Sequence, residues 1–204
     1  MQWGAYDWTV GACLSQFGRV REAVDMCNKG VRHAEMLASD SVLAFTWISS
    51  AQLASMQEDF ERTVEHARRG VAFARRANAH GRLGMALGDL ACYLGEIGRI
   101  DEALPLAREA VDLRAQDGTL GSQLDQLARL SCARGRYPEA AMALGRAAVH
   151  HRRREGRRER YLLGPYLRAT AAVAAAMPAA DLRDWYARRA AIGDDEVARQ
   201  TLHG

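Results

Sequence analysis

The densest chemistry in the 204-residue chain lies in eleven residues from His150, HHRRREGRRER, where six arginines stand beside two glutamates. The local formal charge is +4 in a chain that sums to +3, so everything else carries −1. Arg152, Arg153, Arg154, Arg157, Arg158 and Arg160 are the groups that would neutralise phosphates or another polyanion. No aromatic residue interleaves the run until Tyr161, and no recognition motif accompanies it. The plainer reading is a solvated junction in which Gly156 breaks a helix. The six histidines (His33, His66, His80, His150, His151, His203) do not pair with carboxylates at helical metal-ligand spacing. His150 and His151 are adjacent, so helical geometry sends their side chains apart. Cys13, Cys27, Cys92 and Cys132 are scattered, without a CxxC pair, and read as small buried residues of a reducing compartment. GxSxG, HExxH and P-loop patterns are absent. The expectation is a protein with no catalytic residues, no metal and no cofactor.

Half the residues are hydrophobic and a quarter charged, as in an ordinary globular chain. Alanine is abundant, only four prolines occur, and Lys29 is the only lysine. These proportions favour helix throughout. The small net charge implies no whole-molecule attraction to nucleic acid or to a membrane. Neither a signal segment nor a bilayer-length apolar run is present, so the default expectation is a cytoplasmic protein.

The elements that would carry any site announce themselves by repetition. GRVREAVDMCNKGV starts at Gly18, EDFERTVEHARRGV at Glu58, GRIDEALPLAREAV at Gly98 and GRYPEAAMALGRAAV at Gly135. The steps are 40, 40 and 37 residues, a period that means a stack of supersecondary units sharing one continuous core. In the third unit Leu83, Leu87, Leu90, Ala91 and Leu94 recur at three- and four-residue steps before the turn. Ile100, Ala103, Leu104, Ala107, Ala110 and Val111 do so after it. Each unit is therefore a helical hairpin. Small residues mark the crossings: Gly11, Ala51, Ala91 and Ala128 seven before the turn residue, Ala23, Thr63, Ala103 and Ala140 five after it, and Gly30, Gly70, Ala110 and Ala147 twelve after it. Two helix backbones approach closely only where the intervening side chain is short.

This pattern resembles the tetratricopeptide repeat (TPR) family, over residues 2 to about 152. Trp47 with Ala51, then Leu87, Ala91 and Leu94, with Ala103 and Ala110 beyond the turn, carry the likeness. The period of 40 exceeds the usual 34, and Glu58-Asp59 replaces Gly-Arg in the second unit. The longer period is similar to that of the C-terminal regions of large bacterial transcriptional activators and adenylate-cyclase-like regulators. The segment DWYARRAAIGDDEVARQTL (184–202) is similar to their closing segment. The resemblance implies an all-α, right-handed solenoid of four to five helical hairpins. Four of them span about 2–38, 40–77, 80–116 and 119–152. Residues 153–204 supply the Arg-rich junction and a divergent helical cap, with a fifth hairpin beginning near Glu159 and helices over about 179–190 and 194–202.

By the same resemblance, the first helices of the units line a concave groove. Its positions here are Phe45, Ile48, Gln52 and Met56, then Met85, Gly88, Cys92 and Glu96, then Ser122, Asp125, Arg129 and Ala133, with Ile48 and Cys92 expected to serve inter-repeat packing. Phe45, Gln52, Met56, Met85, Glu96, Ser122, Asp125 and Arg129 are the partner-contacting candidates, and their mix of Met, aromatic and charge suits a peptide or partner helix. Trp3, Tyr6 and Trp8 on the first helix either fold over the first hairpin or face a missing upstream segment or a second copy, the latter a route to self-association. The reading is a regulatory protein–protein interaction scaffold. The alternatives are nucleic-acid binding through Arg152–Arg160 and a small-molecule sensor with its pocket inside the superhelix.

Overall fold

The computed structural model describes residues 11, 14, 17–153, 160–189 and 192–203. Trp3, Tyr6 and Trp8, and Arg154, Arg157 and Arg158 of the arginine run, lie outside the described residues. Helices follow one another in the order α1 (Val20–Leu37), α2 (Asp40–Met56), α3 (Phe60–Arg76), α4 (His80–Glu96) and α5 (Ile100–Gln116). A 3-10 turn (Leu120–Gln123) then leads into α6 (Leu124–Ala133), followed by α7 (Tyr137–Arg153), α8 (Arg160–Ala176), α9 (Ala179–Arg189) and α10 (Asp194–His203).

The hairpins close by a repeated backbone device. Gly18, Ala38, Glu58, Asn78, Gly98, Gly118 and Gly135 all take positive φ, between +48° and +78°. Apart from the last interval, they stand twenty residues apart: one helix and one turn. After six of the seven, all but Ala38, the next residue donates its N–H back to a carbonyl five positions earlier, as in Arg19 N to Leu14 O at 2.9 Å, Arg99 N to Leu94 O at 2.9 Å and Arg136 N to Ser131 O at 2.8 Å. Carbonyls that the helix end would orphan are thereby satisfied. Glu58 adopts φ +59° without being glycine, and the next residue offsets part of that strain: the Asp59 carboxylate accepts the Arg62 N–H at 3.2 Å and caps α3.

All twelve small crossing positions are buried. Ala23, Thr63, Ala103, Ala140 and Ala147 are wholly inaccessible. A Cβ placed on Gly70 would come within 2.9 Å of Ile48 Cγ1 and 3.2 Å of the Ile48 amide nitrogen, so α2 and α3 touch there backbone to side chain. Each hairpin pair packs together (α2 on α3, α4 on α5, α6 on α7), and α2, α4 and α6 also touch their successors, forming one layer of first helices. The helices α3 and α5 keep a polar face to solvent, where Arg68 meets Glu102 at 2.8 Å and Arg75 meets Glu109 at 2.6 Å. Those four side chains are about half exposed, and each pair contributes at most about 1 kcal/mol. Pro105 lies inside α5 beyond its first turn, so the carbonyl of Asp101 loses its helical donor.

The C-terminal group departs from the hairpin rule. The helices α8 and α9 do not pack side by side; α9 covers α7, and α10 covers α5, α6 and α7. The expected fifth hairpin is therefore opened out, and its two helices close different surfaces. With α6, α8, α9 and α10 around it, α7 buries the unbroken run Ala140–Gly145, a helix apolar all round because it has neighbours all round.

Candidate partner-binding face

The layer of first helices carries a polar seam that hydropathy alone does not announce. Asp89, in the middle of α4, is 3% exposed. Gln52 Nε2 of α2 donates to its Oδ2 at 3.1 Å, and Gln126 Nε2 of α6 donates to its Oδ1 at 3.2 Å. One carboxylate thus ties three successive first helices. Burial raises the Asp89 pKa above the ordinary carboxylate value, opposed by those two hydrogen bonds and by the Arg129 charge. Arg129 pairs with Glu96 at the end of α4, and its guanidinium carbon lies 5.9 Å from the centre of the Tyr93 ring. Cys92 donates from Sγ to the Gln126 carbonyl at 3.1 Å. Burial pushes its thiol up to about 12, and those of Cys27 and Cys132 to about 11, so all three are protonated and unreactive at neutral pH.

The candidate groove residues divide into three sets. Gln52, Glu96 and Arg129 come together along this seam, with Arg129 7% exposed, so their polar groups hold helix to helix. Phe45, Met56 and Met85 are half-buried; the Arg82 guanidinium sits 5.0 Å over the Phe45 ring, and Met56 packs beside Ala23, Cys27 and Leu53. Ser122 and Asp125 are turned elsewhere. The Ser122 hydroxyl donates to Thr119 O at 2.8 Å and accepts from Arg114, while Asp125, 2% exposed, meets His151 Nε2 of α7 at 2.8 Å. The 3-10 turn at the head of α6 advances 120° per residue rather than 100°, which rotates these two away from positions projected for a continuous α-helix. Ile48 and Cys92 are buried at 3% and 2%. Gly88 gives room to Gln123, whose Oε1 would lie 2.0 Å from an added Cβ and whose Nε2 donates to Gly84 O at 2.9 Å.

Of the arginine run, Arg152 and Arg153 end α7 exposed, and Arg160 starts α8. The rings of His150 and His151 lie 5.6 Å apart at 83° to one another and take different neighbours: His151 turns to Asp125 and His150 lies against Gly121. His66 stacks edge-on to Trp47 at 5.0 Å, and burial lowers its pKa. Among the described residues, no cluster of three His, Cys, Asp or Glu side chains could hold a metal, and no helix is long and apolar enough to cross a membrane.

Two features of this face are not announced by the sequence. Asp89 could have been found as the lone acid inside the apolar stretch LGMALGDLACYLG (83–95). Arg168 of α8, by contrast, gave no signal. Its guanidinium stands 3.6 Å from Glu96 and 3.9 Å from Glu58, and Ala169 O lies 3.8 Å from Cys132 Sγ. Between α8 and the ends of α4 and α6 runs a cleft of about 410 Å³ lined by Gly95, Glu96, Arg129, Cys132, Pro165 and Arg168, among others.

Residues 83–116, the whole of α5 and nearly all of α4, match the model of the tetratricopeptide repeat family. That stretch is a tetratricopeptide repeat. The crystal structure of nearly identical TPR-like repeats from Podosopora anserina, in a protein assigned as a kinesin light chain, is similar along its whole length. The TM-score is 0.60 at 17% identity, covering 98% of this chain and 97% of that one. A single-substitution variant of it gives 0.61 at 17% identity, covering 100% and 99%. At that identity the likeness concerns the TPR fold. No curated protein matches the chain.

Proposed function

We propose that this chain is a non-catalytic scaffold that binds a peptide or partner helix on the layer formed by α2, α4 and α6. One observation carries the reading: three first helices are held in fixed register by a buried carboxylate shared between two glutamines, a rigid platform with half-buried Phe45 and Met85 on it. Pre-organisation of that kind lowers the ordering cost of association. The regulatory part of the role rests on the long period, which is similar to that of bacterial regulators. Capture from cell lysate, with and without nuclease, tests the reading. A discrete protein retained after nuclease by wild type and lost with Met85→Glu is expected. Recovery of nucleic acid alone, indifferent to Met85→Glu, would overturn it in favour of the arginine run.

A further inference from the structure

Helix α8 makes the contacts of a next first helix of the stack and one more besides. In this chain α4 touches the first helix before it, α2, and the second helix of the preceding unit, α3, and α6 likewise touches α4. Helix α8 meets α6 and α7, but it also packs against α2, three first helices back. It therefore lies across the layer that the units build together. Its hold is uneven. Ala169 and Val173 are 4% and 1% exposed and join the main core. Beside Ala169, Arg168 faces Glu96 and Glu58 at 3.6 and 3.9 Å while remaining 53% exposed, and the 410 Å³ cleft stays open beside Pro165. On the far side Leu163 and Leu167, one helical turn apart, are 47% and 56% exposed. A helix that leaves volume unfilled beneath it and leucines bare above it is loosely matched to its seat.

We propose that the seat of α8 is the partner-binding site. Its ligand is then an amphipathic helix with a small-residue stripe, one arginine aimed at Glu96 and Glu58, and bulkier side chains that fill the cleft. Helix α8 is the tethered stand-in that such a helix displaces. The chemistry of the partner is read from what α8 presents: Pro165, Ala169 and Ala172 toward the cleft, and Arg168 toward two carboxylates. The proposal rests on recognition by the first-helix layer and names its ligand. A tethered helix acts at millimolar effective concentration, so a free helix of equal intrinsic affinity competes poorly until the tether's contacts are weakened.

The test uses the full chain and a fluorescein-labelled peptide of residues 160–177, read by anisotropy. Ala169→Glu should expel α8 and bind the peptide at least about tenfold more tightly than wild type does. Arg168→Glu alters only an exposed side chain, and should improve peptide binding about three- to tenfold should Ala169→Glu fail to fold. A peptide carrying its own Arg168→Glu change should bind these chains more weakly than the native peptide. Equal peptide affinity for wild type and a folded Arg168→Glu chain would overturn the proposal. So would conversion of the loosened chains to dimers that the peptide cannot dissolve, which would make a second copy the occupant. The two readings fail separately. A lysate partner lost with Met85→Glu but no peptide binding leaves layer recognition standing without the α8 seat. Peptide binding with no such partner does the reverse.

Discussion

Replacing Gly70 by alanine sets helix propensity against helix packing. Mid-helix, alanine is favoured over glycine by about 1 kcal/mol. In this position the new methyl would meet Ile48 Cγ1 at 2.9 Å and the Ile48 amide nitrogen at 3.2 Å, where carbon pairs normally rest at about 3.5–4.0 Å. Ile48 is β-branched, 3% exposed and part of the main core, so it has no free rotamer to take up the overlap. The α2–α3 pair must then separate, and overpacking of this kind costs about 1–3 kcal/mol. Packing wins, with a net loss of up to about 2 kcal/mol. With a urea slope of about 2–3 kcal/mol/M for a chain of this size, the unfolding midpoint falls by up to about 1 M. The assay is urea unfolding followed by far-ultraviolet circular dichroism, run as a double-mutant cycle with Ile48→Ala. Removing Cγ1 relieves the nearest contact, so Gly70→Ala should cost little in that background, a coupling of about 1–2 kcal/mol. Additivity within about 0.3 kcal/mol, or a higher midpoint for Gly70→Ala alone, would refute the close-crossing account of the small positions.

Glu58→Gly removes a side chain from a left-handed residue and should raise stability by about 0.5–1 kcal/mol, whereas Gly98→Ala at φ +78° should lower it by about 1–2 kcal/mol; the same urea midpoints decide both. Asp89→Ala leaves the amides of Gln52 and Gln126 without their acceptor and should cost about 1–3 kcal/mol. Because burial raises the Asp89 pKa in the folded chain, the stability it contributes when protonated is complete below its unfolded value and fades as pH rises through the folded one. Asp89→Asn should therefore melt higher than wild type at pH 7, with the gap closing under acid, and a gap that widened under acid would contradict the buried-carboxylate argument. The thiol of Cys92, pushed up to about 12 by burial, should react with an aromatic disulfide reagent at pH 8 only as fast as the chain opens, and at the ordinary rate in urea.

What the sequence revealed, and what it hid, follows the range of each interaction. Hairpins, their turns and the twelve small positions are written locally and repeatedly, so periodicity finds them. Glu58-Asp59 stood out as a break in the turn phrase, and the structure keeps the turn there by forcing Glu58 into the glycine conformation and capping with Asp59. The fourth unit, shorter by three residues, was legible as an irregularity. Its consequence was not: the 3-10 start of α6 changes the facing of Ser122 and Asp125. The Asp89 seam joins positions 37 residues apart, and the crossing of α8 joins positions more than a hundred apart. Neither distance leaves a trace in local pattern. Gln52, Glu96 and Arg129 were recognised as polar groups of the first helices, but only their partners disclose that they bind helices to one another.

The layer of first helices as the recognition surface is tested most directly by a photo-crosslinking residue placed singly at Met85 on α4 and at Glu65 on the solvent face of α3, followed by irradiation in lysate and mass spectrometry. The account predicts one discrete adduct from position 85, weakened by an excess of the 160–177 peptide, and none of that protein from position 65. The same adduct from position 65, or adducts there and none from 85, would contradict it.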